Sequence, residues 1–268
     1  VGKTTILKLL IKKLLDDEKI KPEQIFYFRC DEIKDYKELE GILEAYLEFR
    51  EEHEIKEAYI FLDEITFADE WFRTIKSRID EGKFKRDILI ITGSTSFEVL
   101  KHTEYFPGRR GNGKDFFVFP LSFREFIKVI DLNIYKKISN LNSLEEKEII
   151  EKANSNSLYL KEINKLFNLY LKIGGFPLAI NSHAEKKEID SSVKDTYLNW
   201  IKNDIVKVNK NIEIAREILK LIVTKIPSPI SWERIAKETS IKSPKTINSY
   251  IHMFEDLFIL KISHYIDL

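Results

Sequence analysis

Ala58–Tyr59–Ile60–Phe61–Leu62–Asp63–Glu64 is the stretch on which the fold turns. An apolar run leads straight into two adjacent carboxylates. Such a run suits a strand at the centre of a parallel sheet, where both faces are covered. Its acidic end then falls at the carboxyl edge of the sheet, where open α/β folds take their ligands. A carboxylate pair at that edge suits phosphate chemistry, with Asp63 holding Mg²⁺ directly or through water and Glu64 orienting and deprotonating an attacking water. A strand ending in a solvated acidic turn has the same local pattern, so the neighbouring segments decide.

Upstream lies Val1–Gly2–Lys3–Thr4–Thr5, the back half of the phosphate-loop pattern G-x-x-x-x-G-K-[ST]. The first glycine and its strand are expected ahead of position 1. Gly2 lets backbone approach a phosphate, Lys3 offers a point charge and the Thr4 hydroxyl suits Mg²⁺. A helix starting here, with Thr5 in its first turn, aims free N–H groups at an anion. Ile6, Leu7, Leu10, Ile11, Leu14 and Leu15 give that helix one apolar face. Gln24–Arg29 reads as a buried strand and Asp35–Glu52 as a second helix.

Downstream, Glu70–Glu81 is helical in pattern, and Ile88–Leu89–Ile90–Ile91 is a further buried strand ending in Thr92–Gly93–Ser94. In folds that hydrolyse phosphoanhydrides a polar residue at this point senses the terminal phosphate and helps place the water, a role open to Thr92 or Ser94; a Gly/Ser turn with Ser96 capping the next helix has the same local pattern. Phe106–Pro107–Gly108–Arg109–Arg110 opens a glycine-rich loop, and Asp115–Phe119 reads as the last strand. Arg109 or Arg110 suits an arginine finger, which acts on a γ-phosphate, often across a subunit interface, and contributes about 10³–10⁵ in rate.

Lys+Arg and Asp+Glu both number 44, so nothing in the overall charge calls for a polyanionic partner. A single cysteine, Cys30, excludes an internal disulfide and fits a reducing, cytoplasmic setting. No apolar run is long enough for a membrane helix.

This order of elements resembles the AAA-type ATPases, and more narrowly the prokaryotic ones that carry an uncharacterised C-terminal domain. The matching residues are Gly2–Thr5, Phe61–Glu64, Ile91–Ser94, Pro107–Arg109 and Pro120–Leu121–Ser122–Phe123–Arg124–Glu125–Phe126. The resemblance implies a three-layer, P-loop α/β core over residues 1–120, with Mg²⁺ and ATP as cofactors. It implies an all-helical lid over 121–212. Within the lid, Gly175–Phe176–Pro177 matches a Gly-x-Pro that lies near the adenine, so Gly175 and Pro177 are assigned to nucleotide contact. The charged, Ser/Asn-rich stretch 140–160 reads as a mobile insertion or a segment of the lid.

Residues 213–268 read as a winged helix-turn-helix. Glu213–Lys225, Trp232–Glu238 and a helix opened by Pro244 are followed by an alternating, strand-like run from Leu257. Such a module takes DNA or a protein partner. The expected function is Mg²⁺-dependent ATP hydrolysis coupled to this module, with a homo-oligomer if the finger acts in trans. The alternative is an ATP-gated switch or DNA-binding regulator with little turnover. Glu64 favours hydrolysis, because a pure switch does not need it.

Overall fold

The structure is a computed structural model that describes residues 2–17, 19–93, 113–226 and 228–264. Its N-terminal part runs α1 (Lys3–Leu15), β1 (Ile25–Arg29), α2 (Tyr36–Glu52), β2 (Tyr59–Asp63), α3 (Trp71–Asp80) and β3 (Ile88–Ile91). The three strands form a parallel sheet in the order β1-β2-β3, with Arg29 paired to Asp63 and Leu62 to Ile91. The decisive stretch is therefore the central strand among the described residues.

Successive side chains on a strand point to opposite faces, and here the two faces differ. Phe26, Phe28, Ile60, Leu62, Leu89 and Ile91 pack into one core with Leu39 and Leu43 of α2 and Trp71 and Ile75 of α3. Tyr27, Phe61 and Asp63 occupy the other face. Helix α1 lies against β2, and its buried Leu7, like the buried Phe61, stands outside the α2–α3 core. The layers thus follow from residue parity.

Helix α2 starts where Asp35 accepts hydrogen bonds from the N–H groups of Lys37 and Glu38, an N-cap. At its other end Arg50 reaches Asp87, just before β3, through two hydrogen bonds of 2.6 and 3.0 Å. Asp87 also accepts the N–H of Ala58 at 2.9 Å. The two side chains are 9% and 0% exposed. This buried pair ties α2 to the starts of β2 and β3, at the far end of the sheet from Asp63.

The chain divides into two compact units, one of residues 118–200 and one of the residues on either side of it. The 118–200 unit contains α4 (Phe123–Ile130), α5 (Leu132–Lys137), α6 (Glu146–Ser157), α7 (Leu160–Ile173) and α8 (Pro177–Lys186), and the division falls within α9 (Ser191–Lys207). Phe126, Ile173, Ala179, Ile180 and Val193 form its core.

Two motifs meet in this unit. Ser122 caps α4 in a reciprocal box with Glu125, and the two backbone N–H and side-chain bonds hold Glu125 below the ordinary carboxylate range. Leu121 donates its N–H to the Gly175 carbonyl at 2.7 Å, and the Tyr170 hydroxyl donates to the Leu121 carbonyl at 2.8 Å. A Cβ on Gly175 would stand 2.0 Å from the Leu121 oxygen and 2.7 Å from its nitrogen. Gly175→Ala is therefore expected to destabilise this unit by about 3 kcal/mol or more, read as a drop in its melting temperature. An unchanged melt would show that the two backbones separate freely.

The C-terminal part holds α10 (Ile212–Lys225), α11 (Trp232–Glu238) and α12 (Pro244–Asp256) around Ile218, Ile235, Ile247, Ile251 and Phe254. Asn211, Ser231 and Ser243 cap the three helices, and Pro244 occupies a first helical position as expected.

Two expectations are corrected. Residues 115–119 form no strand; Phe116 is 86% exposed, and the described residues offer that run no paired edge. The run after Leu257 forms no strand through residue 264. Phe258 turns with φ 56°, and Ile259, Leu260 and Ile262 fold back onto the helical core instead. Within the 140–160 stretch, Glu146–Ser157 forms the helix α6, which buries none of its side chains.

Candidate active site at the tip of the central strand

Asp63 is the last residue of β2 and is fully buried. Two hydroxyls bind its carboxylate from the flanking strands. The Tyr27 hydroxyl, from β1, donates to Oδ2 at 3.1 Å. The Thr92 hydroxyl, just past β3, donates to Oδ1 at 2.5 Å. Thr92 also accepts the Glu64 N–H on its hydroxyl oxygen at 3.1 Å, gives its own N–H to the Leu62 carbonyl and takes the Ile65 N–H on its carbonyl. Its side chain and both backbone groups thus bind the tip of β2.

Glu64 has φ 55° and ψ 40°, the left-handed region. For a residue with a Cβ this conformation costs of order 1–3 kcal/mol and persists where surrounding bonds impose it. Here the bonds to Thr92 do so. Glu64 Oε2 is buried without a hydrogen-bond partner among the described residues. A carboxylate oxygen in that condition calls for a partner that the described residues do not supply.

The surroundings are acidic and partly desolvated. Burial, then the Asp63 carboxylate, pushes the Tyr27 hydroxyl up to about 12, so it stays a donor at neutral pH. Cys30, fully buried, is also pushed to about 12 by burial and then by Asp63 and Asp31. Its thiol is accordingly no nucleophile.

The other expected residues fall as follows. Gly2 takes φ 95° immediately before α1, a turn that glycine adopts without strain, and Lys3, Thr4 and Thr5 form the first turn. No side chain caps this helix, and the first N–H groups of any helix lack partners within it. Gly175 and Pro177 lie in the 118–200 unit. There Gly175 packs on Leu121, and Pro177 starts α8. Ser94, Arg109 and Arg110 lie outside the described residues. Sequence reasoning passed over Tyr27; only its pairing with Phe61, two residues before Asp63, puts it on the same face.

Among the described residues no cluster of three or more His, Cys, Asp or Glu could enclose a metal. One buried carboxylate with a free lone pair on each oxygen suits a cation that keeps much of its water, as Mg²⁺ does beside phosphates. A cavity of about 460 Å³ lies beside Arg50 at the opposite end of the sheet and is lined by neither carboxylate of the site. No described helix is long and apolar enough to cross a membrane.

A left-handed glycine, the start of a helix and a carboxylate pair at the tip of a central parallel strand now stand in one fold. Residues 1–127 match the family model of an AAA domain. The match supports an AAA-type, P-loop ATPase-like domain at the N-terminus, with nucleotide binding as its general function. Residues 164–266 match a domain of unknown function (DUF8612). The chain is 28% identical to the uncharacterized protein MJ1544 of Methanocaldococcus jannaschii, over 97% of this chain and 53% of that protein. It is 26% identical to the uncharacterized protein MJ1637 of the same archaeon, over 92% and 51%. An uncharacterized protein of Haemophilus influenzae is 22% identical over 96% and 58%. The chain thus spans about half the length of the curated relatives it matches. No solved structure matches it.

Proposed function

We propose that the full-length protein binds Mg·ATP and hydrolyses it, and that its helical C-terminal module responds to the nucleotide state. The observation that carries this reading is Glu64: a glutamate held left-handed after the buried Asp63, with one carboxylate oxygen buried and without a hydrogen-bond partner among the described residues. A phosphate switch needs Asp63 but has no use for a strained second carboxylate. A hydrolase needs one to orient and deprotonate water.

In this reading Gly2 and the first turn of α1 receive the phosphates, Lys3 adds charge, and Thr4 with Asp63 would hold the cation. Bound Mg²⁺ would supply positive charge that offsets the negative charge developing in the reaction. Glu64 takes the proton from the attacking water. Thr92 fixes Asp63 and the Glu64 backbone. Arg109 or Arg110 supplies the finger, and Gly175 with Pro177 approaches the adenine. The three C-terminal helices form the partner-binding module, for DNA or protein.

The test is binding of a fluorescent ATP analogue to the full-length protein. Binding is expected to require Mg²⁺ and to weaken at least tenfold in Lys3→Ala. Absence of any Mg²⁺-dependent signal in the wild type would overturn the proposal.

A further inference from the structure

We propose that Tyr27 is a positioning residue for the Mg²⁺-binding carboxylate of Asp63, the second half of a two-hydroxyl brace whose first half is Thr92. The inference rests on the ATP-binding reading, because it assigns a metal role to Asp63.

Proton accounting fixes the direction of the bonds. The Glu64 N–H can only donate, so the Thr92 oxygen accepts it, and the single Thr92 proton goes to Asp63 Oδ1. Thr92 then has no proton left for a terminal phosphate or a water. Its expected role as a phosphate sensor becomes a role in holding Asp63 and Glu64. A single hydroxyl does not fix a carboxylate, however, because rotation about the last bond of an aspartate side chain is broad and two-fold. Tyr27 supplies the second point at Oδ2. Each oxygen keeps one lone pair, and both remaining lone pairs have set directions. A ligand for a hydrated cation needs that definition, since outer partners that orient a ligating carboxylate contribute to metal affinity.

Among the described strands, β1 is the neighbour of β2 on the side away from Thr92. Asp63 is on the central strand; Thr92 follows β3 on one side, and Tyr27 comes from β1 on the other, two residue pairs below the tip. Phe28 faces the apolar core and cannot substitute.

The experiment titrates Mg²⁺ into full-length wild type, Tyr27→Phe and Tyr59→Phe, following both fluorescent-ATP binding and ATP turnover. Tyr59→Phe removes a hydroxyl from the same sheet face, four residues before Asp63. For Tyr27→Phe we expect the half-saturating Mg²⁺ concentration to rise about tenfold, with turnover restored by excess Mg²⁺ and KM for ATP unchanged at saturating Mg²⁺. Tyr59→Phe should titrate as wild type. Wild-type Mg²⁺ dependence with an unshifted midpoint in Tyr27→Phe overturns this proposal alone, and a lower melting temperature without a midpoint shift gives Tyr27 a purely structural role. A wild type without Mg²⁺-dependent binding overturns the ATP reading and this proposal together.

Discussion

Glu64→Gln in the full-length protein is expected to lower ATP turnover by about 10²–10⁴-fold, the usual contribution of a positioned general base, while Mg·ATP binding persists. Gln has the size and shape of Glu but cannot take a proton from water. The backbone that aims the side chain does not depend on the carboxylate: the Glu64 N–H is held by the Thr92 hydroxyl, and the next N–H by the Thr92 carbonyl. The left-handed turn should therefore survive, and the loss should appear in kcat with little change in KM. Single-turnover hydrolysis with parallel nucleotide-binding measurements separates the two. Equal turnover in wild type and variant would remove Glu64 from the chemistry. Loss of binding instead would mean that its carboxylate holds the turn.

The second large effect is expected far from the site. Arg50→Ala should destabilise the N-terminal core by about 3–5 kcal/mol, because it leaves a buried carboxylate without its counter-charge. Asp87 is 0% exposed, and the Ala58 N–H is the other donor it has in the structure. The effect should appear as a drop of roughly 10 °C in melting temperature. Lysine should rescue only in part, since a single ammonium cannot reproduce the paired bonds of the guanidinium. A melt within 2 °C of wild type, to order of magnitude of one weak surface pair, would show that water reaches Asp87 and replaces the arginine.

Much of this arrangement is legible in the sequence, and what is not has a physical reason. The α1, α2 and α3 periodicities and the strands at 25–29, 59–63 and 88–91 stand out because each carries its own pattern of burial and caps. The carboxylate pair and the Gly-Lys-Thr start are chemical signatures on the same local scale. Strand pairing is not local. The Phe-rich run at 116–119 and the run after Leu257 both have strand-like composition, yet a strand exists only where a partner edge accepts its hydrogen bonds. Tyr27 was hidden for a related reason, since its role depends on parity with a residue more than thirty positions away. The docking of Leu121 on Gly175 likewise joins two motifs that lie far apart in the chain.

The two-sided sheet also bears on which errors the chain can survive. In β2 the residues that fill the α2–α3 core, Ile60 and Leu62, alternate with Phe61 and Asp63. A slip of one position would drive Asp63 into the greasy interior and turn Leu62 toward the phosphates, since every side chain changes face at once. A slip of two would restore the faces but pull Asp63 away from Tyr27 and Thr92. Misregistered pairings are therefore penalised twice, once by a buried unpaired charge and once by the lost brace. The acidic tip thus acts as a register mark for folding as well as the place where the chemistry is proposed to occur.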